Sequence, residues 1–188
     1  MYYYFYRQCR DAAWRILRDY GVSEMPVPVI SLCNRMGIIT KYYNDNDGND
    51  GKTLYIDNIP YILVKEHLTP EEKRFVIAHE VGHIILEHIN DDGNVLYHSH
   101  VVKKSPLEDE ATGFALRLLA PACVLWGCAV NSSREISEIC SIPFTYSDKR
   151  MRRMKVLYKK EKFFTAPIEQ EVYTNFIGFI EKYNNDKK

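Results

Sequence analysis

Apolar residues near the start of the chain recur at Tyr6, Cys9, Ala13, Ile16, Leu17 and Tyr20, with arginines between them. That spacing predicts an amphipathic helix closed by Gly21. Pro26-Val27-Pro28 opens a second, short helix through Leu32 and Met36, and Gly37 stops it. The period then changes. Ile38-Ile39-Thr40-Lys41-Tyr42-Tyr43, Thr53-Leu54-Tyr55-Ile56 and Tyr61-Ile62-Leu63-Val64 are rich in β-branched and aromatic residues, and each predicts a strand. Short connections predict a small antiparallel sheet of about three strands. The Asp/Asn/Gly run at 44–51 has the composition of a calcium loop. No glutamate follows at the required distance and no helices flank it, so it reads as a hairpin connection.

Helical spacing returns at Thr69-Pro70-Glu71-Glu72, which supplies an N-cap, a proline at the first helical position and a glutamate at the third. A helix is expected from about Pro70 to His88. It is apolar nearly all round, which predicts a buried central helix. A polar loop follows at 89–104. Ser105-Pro106-Leu107-Glu108 then opens another helix, which runs through Leu119 and ends at Pro121. Beyond Asn131 come a short helix to Cys140, a turn at Ile142-Pro143, a basic helix from about Ser147 to Lys162, and a last amphipathic segment at 168–180. The class is therefore α+β. A first region, 1–130, holds the sheet and the central helix, and 131–188 forms a helical C-terminal region.

Composition narrows the function more by exclusion than by suggestion. Hydrophobic residues make up 46% and charged residues 27%, as in a globular protein with a sizeable core. Lys+Arg and Asp+Glu both count 25, so net charge argues for neither nucleic acid nor a membrane surface. No apolar run reaches the roughly 18 residues of a membrane span. The aromatic start, Met1 to Arg7, lacks the layout of a signal peptide. Five scattered cysteines with no C-x-x-C spacing read as buried, reduced thiols and point to the cytoplasm.

The central helix carries the candidate chemistry. His79-Glu80-Val81-Gly82-His83 is an H-E-x-x-H pattern, in which two histidines bind zinc and the glutamate acts as base. A helix advances about 100° per residue, so His79 and His83 lie about 40° apart on one face, a turn from each other. Glu80, about 100° from His79, can act on a water without being a ligand. The bland alternative is a helix with two satisfied histidines and a surface glutamate. Two features weigh against it. Unpaired polar side chains are costly in so apolar a helix. Gly82 costs about 1 kcal/mol against alanine there, which makes sense where another backbone passes close by.

Catalytic zinc takes a third protein ligand and keeps an open position. His88 would lie about 180° from His79 if the helix continued that far, and His98 and His100 sit in a loop. On the next helix Leu107, Ala111, Phe114, Ala115, Leu118 and Leu119 define a buried arc. Glu108 falls inside it, about 20° from Ala115, and Glu110 falls beside Arg117 at its polar edge. A carboxylate among small buried residues needs a partner, and a metal is one. A capping box with Ser105 is the plainer role for Glu108. Glu108 is the favoured ligand and Glu110 the alternative.

Two stretches make the chain resemble the ImmA/IrrE zinc metallopeptidases. They are Arg74-Phe75-Val76-Ile77-Ala78-His79-Glu80-Val81-Gly82-His83, and Glu108-Asp109-Glu110-Ala111 continuing through Phe114-Ala115 to Leu118-Leu119-Ala120-Pro121. Thr112 stands where that family usually has asparagine or aspartate, and Ala120 where it usually has methionine. The resemblance spans roughly residues 5–160. It implies a zincin-like, gluzincin-type metallopeptidase domain over 1–130, Zn²⁺ as cofactor and Glu108 as third ligand. It also implies a protein substrate, a helix-turn-helix repressor of a prophage or other mobile element, whose cleavage derepresses genes.

A second donor to the tetrahedral oxyanion is usual in such chemistry, and Tyr97, His98 and His100 are the nearest candidates in sequence. The strand at 61–65 could pair with an extended substrate. The competing class is a zinc-containing regulatory or DNA-binding protein that does not cut. It would use Lys149, Arg150, Arg152, Arg153, Lys155, Lys159, Lys160 and Lys162 on the basic helix at 147–162. The balanced net charge weighs against direct DNA binding.

Overall fold

The computed structural model describes residues 2–88 and 106–187, with side chains from Arg7 onward. The chain opens with α1 (Tyr2–Asp19) and α2 (Val29–Arg35), followed by β1 (Ile39–Tyr43), β2 (Gly51–Ile56) and β3 (Ile59–Lys65). The central helix α3 spans Pro70–Ile85, and α4 spans Pro106–Leu119. The remaining helices are α5 (Ala122–Gly127), α6 (Ser133–Cys140), α7 (Phe144–Lys159), α8 (Pro167–Asn175) and α9 (Ile177–Asp186). This is the expected α+β architecture, and its elements were largely legible. Several details differ from expectation, and those in the sheet and in α3 bear on the site.

The sheet is mixed rather than wholly antiparallel. Its order is β1-β3-β2. β1 runs parallel to β3, with Ile39 opposite Tyr61, while β2 pairs antiparallel with β3, with Thr53 opposite Ile62. β3 takes the centre because Ile62 and Val64 are fully buried. The turn at Asp57-Asn58, with φ of +51° and +63°, makes β2 and β3 the true hairpin. Segment 44–50 is therefore no hairpin between paired strands. It crosses the end of β3 from one edge of the sheet to the other, a gap of about 10 Å. A chain of that length reaches about 23 Å. With both edges of β3 occupied, no substrate strand can pair there. Among the described residues, the unpaired edges belong to the outer strands β1 and β2, and β2 is the one that packs against α3.

That crossing loop is closed by its own ion pairs. Lys65 Nζ sits 2.6 Å from Asp45 and 3.0 Å from Asp47, and Lys52 Nζ lies 2.7 Å from Asp47. Tyr43 donates its hydroxyl to Asn49 O at 2.9 Å. Two ammonium groups stand among the carboxylates that a calcium ion would use.

α3 starts with the expected capping box. Glu72 N–H donates to the Thr69 hydroxyl, and the Glu72 carboxylate accepts from Thr69 N–H at 2.8 Å. Its middle, Phe75 through His83, is buried at every position. One side rests on β2 and β3, and another on α4. The helix ends at Ile85, three residues short of the expected His88. Glu87 adopts φ +56° and turns the chain back, so that His88 N–H donates to His83 O at 3.0 Å.

One apolar core joins these layers to the C-terminal helices. Tyr146 of α7 stacks on Phe75 of α3 with centroids 3.4 Å apart. Pro121 ends α4 and immediately starts α5, a helix that the sequence pattern did not single out. The last amphipathic segment is two helices, broken at the buried Phe176.

Candidate active site

The close crossing of α3 and α4 brings the predicted site residues together. At Gly82 a Cβ would stand 3.1 Å from Ala111 Cα and 3.2 Å from Ala111 O. The absent side chain lets the backbone of α4 lie against α3, which sets Glu108 over the two histidines. His79 and His83 are 1% and 0% exposed. Their Nε2 atoms are 3.1 Å apart. Glu108 Oε2 lies 3.0 Å from His79 Nε2, and its Oε1 lies 3.5 Å from His83 Nε2. The three residues present ligand atoms within 4.8 Å of one another. A tetrahedral ion such as zinc, with bonds of about 2.0–2.1 Å, holds its ligand atoms about 3.3–3.4 Å apart. His79 Nε2 stands near that spacing from both His83 Nε2 and Glu108 Oε2, at 3.1 and 3.0 Å, while His83 Nε2 is approached at 3.5 Å by the other carboxylate oxygen. Two neutral imidazoles and one carboxylate also suit a divalent cation chemically.

Glu110 points elsewhere. Its Oε2 is 3.1 Å from His88 Nε2, and His88 Nδ1 is 3.1 Å from His83 Nδ1. On a continuous helix, rotation would carry His88 away from the ligand face. The helix stops before it, so that rotation does not apply, and the residue meets His83 from behind. Thr112, the departure from the family pattern, keeps its hydroxyl 3.4 Å from His79 Nδ1.

Glu80 is fully buried and faces the sheet. Its Oε2 accepts a 2.8 Å hydrogen bond from the Thr53 hydroxyl. Gly51 lies beside it, and a Cβ there would collide with Val76 and stand 3.3 Å from Glu80 Oε1. β2 thus passes directly over the acid of the motif. Thr53 escaped the sequence reading because only strand order places it there. A buried polar residue on a strand's inner face was the available signal. Tyr97, His98, His100 and the expected cap Ser105 lie outside the described residues.

The basic helix is partly structural. Arg150 is buried and donates from Nε to Ala120 O at 2.7 Å, tying α7 to the end of α4. Arg152 pairs with Asp148 on the same helix. Lys149, Arg153, Lys160 and Lys162 line a cleft of about 1940 Å³ shared with α1 and α4. All five cysteines are free and buried. Burial pushes the Cys123, Cys128 and Cys140 thiols up to about 12, which keeps them protonated at neutral pH.

The sequence profile of the IrrE N-terminal-like domain matches residues 33–158, from α2 to the end of α7. The chain belongs to that family, and it is a metallopeptidase of the IrrE/ImmA type. A search of curated proteins finds no match. No described helix is long and apolar enough to cross a membrane.

Proposed function

We propose that the protein is a zinc endopeptidase of the cytoplasm that cleaves a helix-turn-helix repressor and so derepresses the genes of a prophage or other mobile element. The observation that carries the enzymatic part is the convergence of His79 Nε2, His83 Nε2 and Glu108, with Glu80 buried on the same helix. The repressor substrate rests on the resemblance to ImmA/IrrE peptidases of mobile elements. The cytoplasmic setting rests on the buried, reduced cysteines.

In this reading His79, His83 and Glu108 hold the metal, with Glu108 rather than Glu110 as the third ligand. Zinc in that position supplies Lewis acidity, polarising a carbonyl and acidifying water. Glu80 is the general base: it accepts a proton from the attacking water and returns it to the leaving amine. Burial on α3 and the Thr53 hydroxyl hold its carboxylate in place. The open edge of β2 binds the substrate as an added strand, so that main-chain hydrogen bonds set the scissile bond beside Glu80. An oxyanion donor comes from Tyr97, His98 or His100. Residues 1–130 form the peptidase unit, and the helices of 131–188 support it and meet the substrate.

Co-incubation with a helix-turn-helix repressor encoded beside the gene tests this. Wild type should cut it in a zinc-dependent way, and Glu80→Gln should lose at least about 100-fold in rate while still binding zinc. Equal cleavage by Glu80→Gln, or cleavage that survives chelation, overturns the mechanism. A salt-sensitive complex with operator DNA and no proteolysis would favour a DNA-binding role for α7.

A further inference from the structure

His88 is a nearly buried histidine that the ligand set does not use; its side chain is 5% exposed. The chain goes to some expense to seat it. Glu87, a non-glycine residue, takes φ +56°, a conformation that costs about 1–2 kcal/mol. The resulting turn lays the His88 ring edge-on to His83, with centroids 5.1 Å apart. Glu110 reaches in from α4 to close the far side of the ring at 3.1 Å.

The hydrogen bonds along this line have a direction. An ionised carboxylate only accepts, so His88 Nε2 carries the proton that faces Glu110. The neutral ring then offers Nδ1 as an acceptor, and the partner 3.1 Å away is His83 Nδ1. His83 must donate there, which leaves its Nε2 with a bare lone pair. That Nε2 is the atom 3.1 Å from His79 Nε2 and 3.5 Å from Glu108 Oε1.

We infer that Glu110 and His88 form a relay that fixes His83 in its Nδ1–H tautomer and aims Nε2 at the metal position. Both are positioning residues, and this rests on the reading that His79, His83 and Glu108 hold zinc. It gives Glu110 a role other than ligation. Loss of such outer partners typically weakens metal binding about 10- to 100-fold.

Zinc competition against a chromophoric chelator, together with nitrogen-15 correlation spectra of the imidazoles in the metal-free protein, tests the relay without a peptide substrate. His88→Phe keeps an aromatic ring but removes the nitrogens. It should bind zinc about 10- to 100-fold more weakly while still unfolding cooperatively without metal, and His83 should shift toward the Nε2–H form. Glu110→Leu should move both readouts the same way. His88→Asn places Oδ1 where Nδ1 stood and should recover most of the affinity. Unchanged zinc affinity in His88→Phe overturns the relay, as does a proton on His83 Nε2 in the metal-free wild type. Zinc retained by Glu108→Ala and lost by Glu110→Ala would make Glu110 a ligand and also overturns it. A wild type that takes up no zinc refutes the ligand reading instead, and the metal-free spectrum still decides the tautomer.

Discussion

The Thr53 hydroxyl donates to Glu80 Oε2 across 2.8 Å, linking β2, an edge strand of the sheet, to the acid of the H-E-x-x-H helix. Both residues are buried, at 1% and 0% exposure. A hydrogen bond to a charged group is worth about 1.5–3 kcal/mol, which is roughly 10- to 100-fold in rate when it holds the base for proton transfer. Thr53→Val keeps the shape and removes the donor. We expect kcat, on whichever repressor the wild type proves to cut, to fall about tenfold or more with KM little changed, zinc stoichiometry to stay at wild type, and Thr53→Ser to restore most of the rate. Full activity in the valine variant would show that the hydroxyl does not position Glu80.

Gly82 sets the spacing between α3 and α4. Alanine at this site would gain about 1 kcal/mol of helix propensity. Its Cβ would meet the backbone of Ala111 and the ring of Phe114 at 3.1–3.2 Å. A helix backbone yields less easily than a side-chain tip, and overpacking costs about 1–3 kcal/mol. We expect Gly82→Ala to lower stability by about 1 kcal/mol and to weaken zinc binding as Glu108 moves off the histidines. Denaturant unfolding and zinc competition measure the two effects separately.

The crossing loop predicts a pH dependence and a calcium result. Burial works against ionisation of Asp47, but hydrogen bonds from Lys52, Asn49 N–H and Lys65 hold its carboxyl well below the ordinary 3.8. A depressed folded value stabilises the protein above the unfolded value and is lost as pH falls toward the folded one. Asp47→Asn should therefore be less stable than wild type at pH 6–7. The gap should close as pH drops below about 4. Denaturant midpoints across that range would show it. Added calcium should leave the midpoint unchanged, because Lys52 and Lys65 already face the carboxylates.

Much of the site was legible because its information is local. The turn of a helix puts His79 and His83 on one face whatever surrounds it. The Thr69–Glu72 capping box and the glycine inside α3 could be read in the same way. The arc drawn on α4 was less exact: Leu107, placed inside it, is exposed, Arg117, placed at its polar edge, is buried, and the Glu110 side chain is more covered than that of Glu108. Composition and cysteine spacing likewise foresaw five buried thiols.

Only the tertiary structure decided what lies across from what. Three short apolar strands are compatible with several orders. Burial of Ile62 and Val64 put β3 in the middle and β2 over Glu80, so Thr53 became the residue at the acid. The end of α3 was decided by one residue in a left-handed conformation, which no helical period can forecast, and that turn sent His88 to the back of His83. The spacing of H-E-x-x-H rests on backbone hydrogen bonds four residues apart. Thr53, Glu108 and Thr112, which meet its side chains, are distant in sequence, and chain folding alone brings those within reach.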